Sequence, residues 1–397
     1  MQIFGWRKRT SVYNPNLSAL TRGFSNDPDE VAVAFHRVSL SRYGNSAISG
    51  YRVAEFNGKI YNHPLESYTI KTGPDTEAVG VSGAISVSLK DGASIYFTIH
   101  ETSVSALFEN RQAAEVEQFF EELAEYLRAN PIYRGKAITT YRKFIDLPNI
   151  SPGKVVYSDK VWKELNEHVW SLIRKPDECE RVGVNLPRKI LFQGLFGSGK
   201  TLAANITAKI AIENGWTAIV MPTSGPQASL ALPAAVLFAG RNSPALLIIE
   251  DIELEQRDDN AYVLKNMLDA FDGLVTKWMK IMIIITTNYP DKITAAMNRP
   301  GRIDKVIKFG ELDPENLKRL VLRVAGEDKF SPDISWASVV SACKDYTPAF
   351  VEGVSKNAAL EYISADAKFI TEKMLVDAAN DLREQFENCR KGFGAYL

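Results

Sequence analysis

Residues 189–201 read "KILFQGLFGSGKT", and the reading of this stretch decides the fold. Lys189 to Gln193 form an apolar strand. Gly194 to Thr201 match G-x-x-x-x-G-K-[ST] in full. A helical run, "LAANITAKIAI", follows at once. Strand, glycine-rich loop and helix in that order are the context in which this motif is a phosphate-binding loop. Gly194, Gly197 and Gly199 let the backbone curl around phosphate oxygens with its N–H groups pointing inward. Lys200 supplies a point charge to the β- and γ-phosphates. Thr201 offers a hydroxyl to Mg²⁺, and the helix start adds the positive end of its dipole. Ser198 and Leu202 complete the expected nucleotide contacts.

Such a loop needs a second strand that ends in acid. Residues 246–253, "LLIIEDIE", are the stretch of that form downstream of the loop. Two adjacent carboxylates, Glu250 and Asp251, stand at its end. One is expected to serve Mg²⁺ and the other the attacking water.

The rest of the chain sets limits on this chemistry. It has 397 residues, enough for two or three domains, with 45% apolar and 24% charged residues. A formal net charge of −1 gives no global basic field for nucleic acid and no acidic tail. Cys179, Cys343 and Cys389 are far apart and odd in number. That argues against a disulfide framework or a zinc site and fits a reducing cytoplasm. His36, His63, His100 and His168 form no ligand spacing. No apolar run approaches the roughly 20 residues a membrane helix needs. The start, "MQIFGWRKRTS", lacks an apolar segment after its basic residues, so Arg7, Lys8 and Arg9 are read as a solvated basic terminus.

Residues 30–100 read as β. "AISVSLKDGASIYFTIH" puts Ile85, Val87 and Leu89 on one face of one strand and Ile95, Phe97 and Ile99 on one face of the next, around an Asp91-Gly92 turn. Asn57-Gly58 signals a second hairpin. The period then becomes helical: Val116, Phe119, Phe120, Leu123 and Leu127 predict an amphipathic helix packed on that sheet. Pro148, Pro152 and Gly153 mark a boundary. Beyond it the pattern alternates: helix 159–174, strand 189–193, helix 199–213, strands 217–221 and 245–249, helix 261–272 and strand 281–286. That alternation predicts a parallel sheet covered by helices. From Asp313 onward the pattern is helical only.

Several further motifs make the chain resemble the AAA+ ATPases, in the AAA clade proper. "ERVGVNLPRKILFQG" offers a Gly-hydrophobic pair, Gly183 and Val184, for adenine. "IMIIITTNYPD" places the family's water-holding asparagine at Asn288. "RPGRID" puts its two arginine fingers at Arg299 and Arg302. "DPENLKRLVL", "YTPAFVEGVSKNAALEYI" and "FITEKMLVDAA" resemble its helical lid. The resemblance covers residues from about 153 to 390. It implies an α/β P-loop NTPase sheet (148–309) with a helical lid and tail (310–397), preceded by a β-rich α+β N-terminal domain (1–147). It also implies ATP and Mg²⁺ as ligands. By position, Glu250 takes the Mg²⁺ role with Thr201, and Asp251 activates water.

Two departures narrow the branch. The family's acid strand usually ends Asp-Glu; here the order is inverted, as in the branch resembling the mitochondrial complex III assembly ATPases. The segment 221–244, "MPTSGPQASLALPAAVLFAGRNSP", is short and holds no aromatic-hydrophobic-glycine triplet for gripping an extended chain. Arginine fingers act on the neighbouring subunit, so the resemblance implies a homo-oligomeric ring, a hexamer, whose N-terminal domain handles a protein client as a chaperone does. The tail "GFGAYL" resembles the docking tails of proteasome-activating ATPases and raises a 20S-type peptidase as an alternative partner. A structural or nucleic-acid-associated ring is the third alternative.

Overall fold

The computed structural model describes residues 9–10, 17–44, 48–50, 53–56, 59–61, 66–148, 150, 153, 155–221, 228–250, 279–288 and 303–394. They fall into two compact units, Met1–Arg134 and Gly135–Leu397. The division lies ahead of the 147 boundary expected from composition. The reason is a short strand, residues 137–139, that pairs with the second unit's sheet.

In the first unit, strands β1 (Arg9–Thr10), β2 (Leu17–Gly23), β3 (Ile48–Gly50), β6 (Glu66–Lys71), β7 (Glu77–Ser88), β8 (Ser94–His100) and β9 (Ser103–Glu109) form a seven-stranded antiparallel sheet. Its path is β1-β2-β9-β8-β7-β3, with β6 paired to β7. β4 (Val53–Phe56) and β5 (Lys59–Tyr61) pair separately. They flank the expected Asn57-Gly58 turn, which lies outside the described residues. The Asp91-Gly92 turn closes β7 onto β8, with Gly92 at φ 81°. That is backbone a Gly enters without the Cβ penalty.

Helix α1 (Pro28–Tyr43) corrects the expectation that residues 30–100 are all β. Its signals are local. Asp27 accepts a hydrogen bond from Asp29 N, Pro28 occupies the first turn, and Gly44 follows the end at φ 78°. The β-branched and aromatic residues within it are core contacts for the sheet, so the tertiary environment overrides their strand preference. α2 (Ala113–Ala129) runs as its period predicts, with Val116, Phe119, Phe120, Leu123 and Leu127 all buried. Each such burial contributes about 1.5–3 kcal/mol. Phe119 meets Phe97 and Phe35 at ring-centroid distances of 4.6 and 5.5 Å, which locks α1, α2 and the sheet into one core.

The second unit is built on a six-stranded, all-parallel sheet in the order β10-β12-β13-β14-β11-β15. The strands are β10 (Ala137–Thr139), β11 (Arg188–Gln193), β12 (Thr217–Met221), β13 (Ala245–Ile249), β14 (Ile281–Thr287) and β15 (Lys305–Lys308). β13 and β14 are buried along their whole length, as continuous apolar runs in a doubly covered sheet must be. Helices α3 (Asp159–Leu165), a π turn (Asn166–Trp170) and α4 (Ser171–Arg174) follow one another without a break. They are joined by α5 (Pro176–Arg181), α6 (Lys200–Glu213) and α7 (Ala228–Arg241). α7 contains Pro233; residues 222–227 and the expected helix 261–272 lie outside the described residues.

Four helices follow: α8 (Pro314–Ala325), α9 (Trp336–Ala342), α10 (Pro348–Ser364) and α11 (Glu372–Gly394). They share a separate core that includes Val321, Val351, Val354 and Leu375. Val156 belongs to this helical core while its neighbours Val155 and Tyr157 belong to the sheet's core. The strand-like stretch 155–157 therefore lies between the two.

Candidate nucleotide site

A parallel sheet presents all its C-terminal ends along one edge, and ligands of such sheets sit there. The register puts Gln193 beside Thr287 and Ile249 beside Ile285. The residues that follow, Gly194, Asn288 and Glu250, thus share that edge. β14 lies between the loop strand β11 and the acid strand β13. Asn288, 3% exposed, is therefore held between the phosphate loop and the acid, where a water-positioning amide would have to be.

The loop itself is tightly specified. Gly194 N donates to Thr287 O at 3.3 Å. A Cβ on Gly194 would come within 2.2 Å of Phe309 O, so the neighbouring chain admits only glycine there. Gly197 and Gly199 have φ of 72° and 95°, the left-handed region. Gly199 opens α6 with no side-chain cap, which leaves the first-turn N–H groups of a 14-residue helix facing the loop. Lys200 is buried, and its Nζ donates to Gly194 O at 2.8 Å and Leu195 O at 2.9 Å. Thr201 is exposed at the start of the same helix. A glycine cradle, an uncapped helix start and a buried ammonium folded onto the loop's own carbonyls fit a polyphosphate, which offers that ammonium better acceptors.

Two segments close on the loop. Tyr157, 2% exposed, donates its hydroxyl to Gly199 O at 3.0 Å. Its ring meets Phe309 and Trp162 edge-on at 5.7 and 6.0 Å. Burial pushes its phenol far up, so it remains a donor at every working pH. The second segment is the start of α10, where Ala349 N donates to Gly197 O at 3.1 Å. The signal for Tyr157 was faint, an aromatic at the end of the Val155-Val156 run. Ala349 falls in the stretch "YTPAFVEGVSKNAALEYI" that resembles the family's lid.

Gly183 and Val184 stand ahead of the start of β11, as their place in the sequence requires. Val184 lines a 540 Å³ cavity with Leu172, Cys179, Pro187 and Lys280, and Gly183 immediately precedes it. Pro187 and Lys280 immediately precede β11 and β14, so this cavity is at the sheet's other end. The pair precedes the strand, and the strand carries the chain away from it. Asp251, Arg299 and Arg302 lie outside the described residues. Glu250 is half-buried at the end of β13.

Comparison with known proteins agrees with this geometry. The family model described as "ATPase family associated with various cellular activities (AAA)" matches residues 190–311. The cell division cycle protein 48 homolog of Archaeoglobus fulgidus is 27% identical over 208 residues, 47% of this chain and 27% of that protein. An ATP-dependent zinc metalloprotease FtsH of Mycoplasmopsis synoviae is 26% identical over 223 residues, 52% of this chain and 33% of that protein. The 26S proteasome regulatory subunit 10B homolog A of Arabidopsis thaliana is 26% identical over 259 residues, 59% of this chain and 63% of that protein. The chain thus spans less than two thirds of the length of each of these relatives.

Proposed function

From the AAA ATPase domain that residues 190–311 carry, we propose that the protein binds and hydrolyses ATP with Mg²⁺. The observation that carries this reading is the shared edge: the glycine cradle with Lys200, the amide of Asn288 and the carboxylate of Glu250 follow three neighbouring strands. Lys200 binds the β- and γ-phosphates. Thr201 and Glu250 would hold Mg²⁺, which supplies charge neutralisation on the phosphates. Asn288 orients water, and Asp251, next in the chain, takes its proton. Arg299 and Arg302 complete the site of a neighbouring copy in a hexameric ring. In other phosphoryl-transfer enzymes such fingers contribute about 10³ to 10⁵ in rate.

The ring would remodel a protein client through the unit Met1–Arg134, in a reducing, cytoplasmic setting that suits free cysteines. Among the described residues no helix is long and apolar enough to cross a membrane. The Glu250-Asp251 order and the short 221–244 segment favour the complex III assembly branch, whose clients are handled without threading. The similarity to a proteasome regulatory subunit favours a second reading: an ATPase partner of a 20S-type peptidase.

Phosphate release tests the core of the proposal. Asp251→Asn is expected to retain ATP but not turn it over, and Lys200→Met to lose binding. Mixing Lys200→Met with Arg299→Ala subunits restores part of the activity if sites are shared between copies. Wild-type turnover by Asp251→Asn, or activity independent of protein concentration, refutes it.

A further inference from the structure

Strand β10 is followed by a short segment that returns along it. Thr139 N donates to Lys143 O at 2.8 Å and Ile145 N to Ala137 O at 2.9 Å, and Ile138 bridges Phe144. The turn between them is held from within. Thr139 Oγ1 accepts from Tyr141 N and Lys143 N, both at 3.2 Å, and Arg142 N donates to Thr139 O at 3.0 Å. Thr140 N donates to Val220 O at 3.0 Å, which fixes the turn to the end of β12. Arg142 takes φ 61°, a left-handed conformation that glycine would enter at lower cost. Its side chain does what glycine could not: the guanidinium lies over the Phe238 ring of α7, 5.6 Å from the centroid.

This fixed turn presents a surface of one sign. Tyr141 is 68% exposed at its tip, and Arg142 and Lys143 beside it are exposed. α7 extends the surface. Leu237, next to Phe238, is 42% exposed, and Arg241, four positions on and so on the same helix face, is exposed as well. The chain as a whole balances 47 basic residues against 48 acidic ones, but the segments that build this surface do not. No Asp or Glu stands between Glu125 and Asp146, and none between Glu213 and Glu250. Asp146 follows Ile145, at the far end of the returning segment.

An aromatic ring on a fixed backbone loses little conformational freedom on binding, and tyrosine and arginine are the residues that most often carry an interface. The sign of the surface calls for an acidic partner. A net charge of −1 supplies no wide basic field for a nucleic-acid backbone. Two apolar side chains set among three cations suit a protein segment instead, one that mixes carboxylates with apolar residues.

We propose that the turn 139–143 and the adjoining face of α7 form a docking surface for an acidic protein segment. Its carboxylates meet Arg142, Lys143 and Arg241, and its apolar side chains meet Tyr141 and Leu237. None of these residues belongs to the nucleotide site, so the inference stands apart from the reading of that site.

The full chain is titrated into a fluorescein-labelled peptide of about 12 residues that alternates glutamate with leucine or tyrosine, and binding is read as anisotropy. The same peptide with glutamine for glutamate and a single-stranded oligothymidylate of equal length are the comparisons. Wild type should bind the acidic peptide, more weakly as salt is raised, and bind the glutamine peptide at least about tenfold more weakly. Tyr141→Ala should weaken binding by about tenfold, and Lys143→Glu with Arg241→Glu by more. Both variants alter exposed side chains and should keep the wild-type melting point and basal ATP turnover. No binding of the acidic peptide, equal binding of the glutamine peptide, or unchanged affinity in Tyr141→Ala and in the charge-reversed variant overturns the proposal. Tighter binding of the oligothymidylate, lost in the same variants, replaces it with a nucleic-acid surface. Self-association lost in these variants, with no binding of the peptide, replaces it with a contact between copies of the chain.

Discussion

Gly199 is the position at which the loop's demands can be measured as a stability. Its φ of 95° is one that alanine adopts at a cost of about 1–2 kcal/mol. Its added Cβ would also lie 2.8 Å from Tyr157 Cε1, in a buried contact with little room to yield. Overpacking of that kind costs about 1–3 kcal/mol. Gly199→Ala should therefore destabilise the second unit by about 2–5 kcal/mol. The two contributions separate in a Tyr157→Leu background, which removes the clashing ring atom and leaves the backbone penalty. There the increment from Gly199→Ala should fall to about 1–2 kcal/mol. Urea unfolding followed by tryptophan fluorescence is the assay, since Trp162, Trp170, Trp216, Trp278 and Trp336 all lie in the unit Gly135–Leu397. An increment as large in the Tyr157→Leu background as in wild type would show that Tyr157 does not rest on Gly199, and the reasoning would fail.

Two further outcomes follow from the packing. Phe119, fully buried where α1, α2 and the sheet meet, should cost about 3–5 kcal/mol when truncated in Phe119→Ala. The loss should appear in far-UV signal from the first unit and leave the tryptophan-monitored transition near its wild-type midpoint; a matching shift of that transition would contradict two separate cores. Asp313 caps α8: burial pushes its carboxyl up, but bonds from the Asn316 side chain and the Asn316 and Asp159 N–H groups outweigh this and hold it below its ordinary value. A carboxyl lowered in the folded state stabilises fully above its unfolded value, and that stability is lost as pH falls through the folded one. Asp313→Asn keeps a capping oxygen but removes the charge, so it should melt lower than wild type at neutral pH, with the gap closing in acid. A gap that is constant with pH would refute the assignment.

Much of the second unit was legible because its signals are local. Continuous apolar runs mark β13 and β14, and a glycine-rich loop between strand and helix marks the phosphate site. In the first unit, α2 was legible from its period, whereas α1 was not. Its residues 31–35, Val-Ala-Val-Ala-Phe, alternate as a strand would, and only Asp27, Pro28 and Gly44 at its ends carry the helical signal. A five-residue pattern read without its caps gave the wrong period. β10 and β15, of three and four residues, are too short to carry a period at all.

The site shows why nearness in sequence is a poor guide to nearness in space. Val184 stands ten positions before Gly194, but the six residues of β11 lie between them. At about 3.3 Å per residue that strand carries the chain roughly 20 Å, from one edge of the sheet to the other. Tyr157 and Thr347 precede and follow the loop by far longer stretches and nonetheless touch it. What they share is that each joins two cores: Tyr157 ends the stretch between sheet and helical bundle, and Thr347 begins a helix of that bundle. The loop therefore meets residues from both cores. The bundle meets the loop at Gly197, through the Ala349 N–Gly197 O bond, and Tyr157 meets it at Gly199, two of the loop's three glycines.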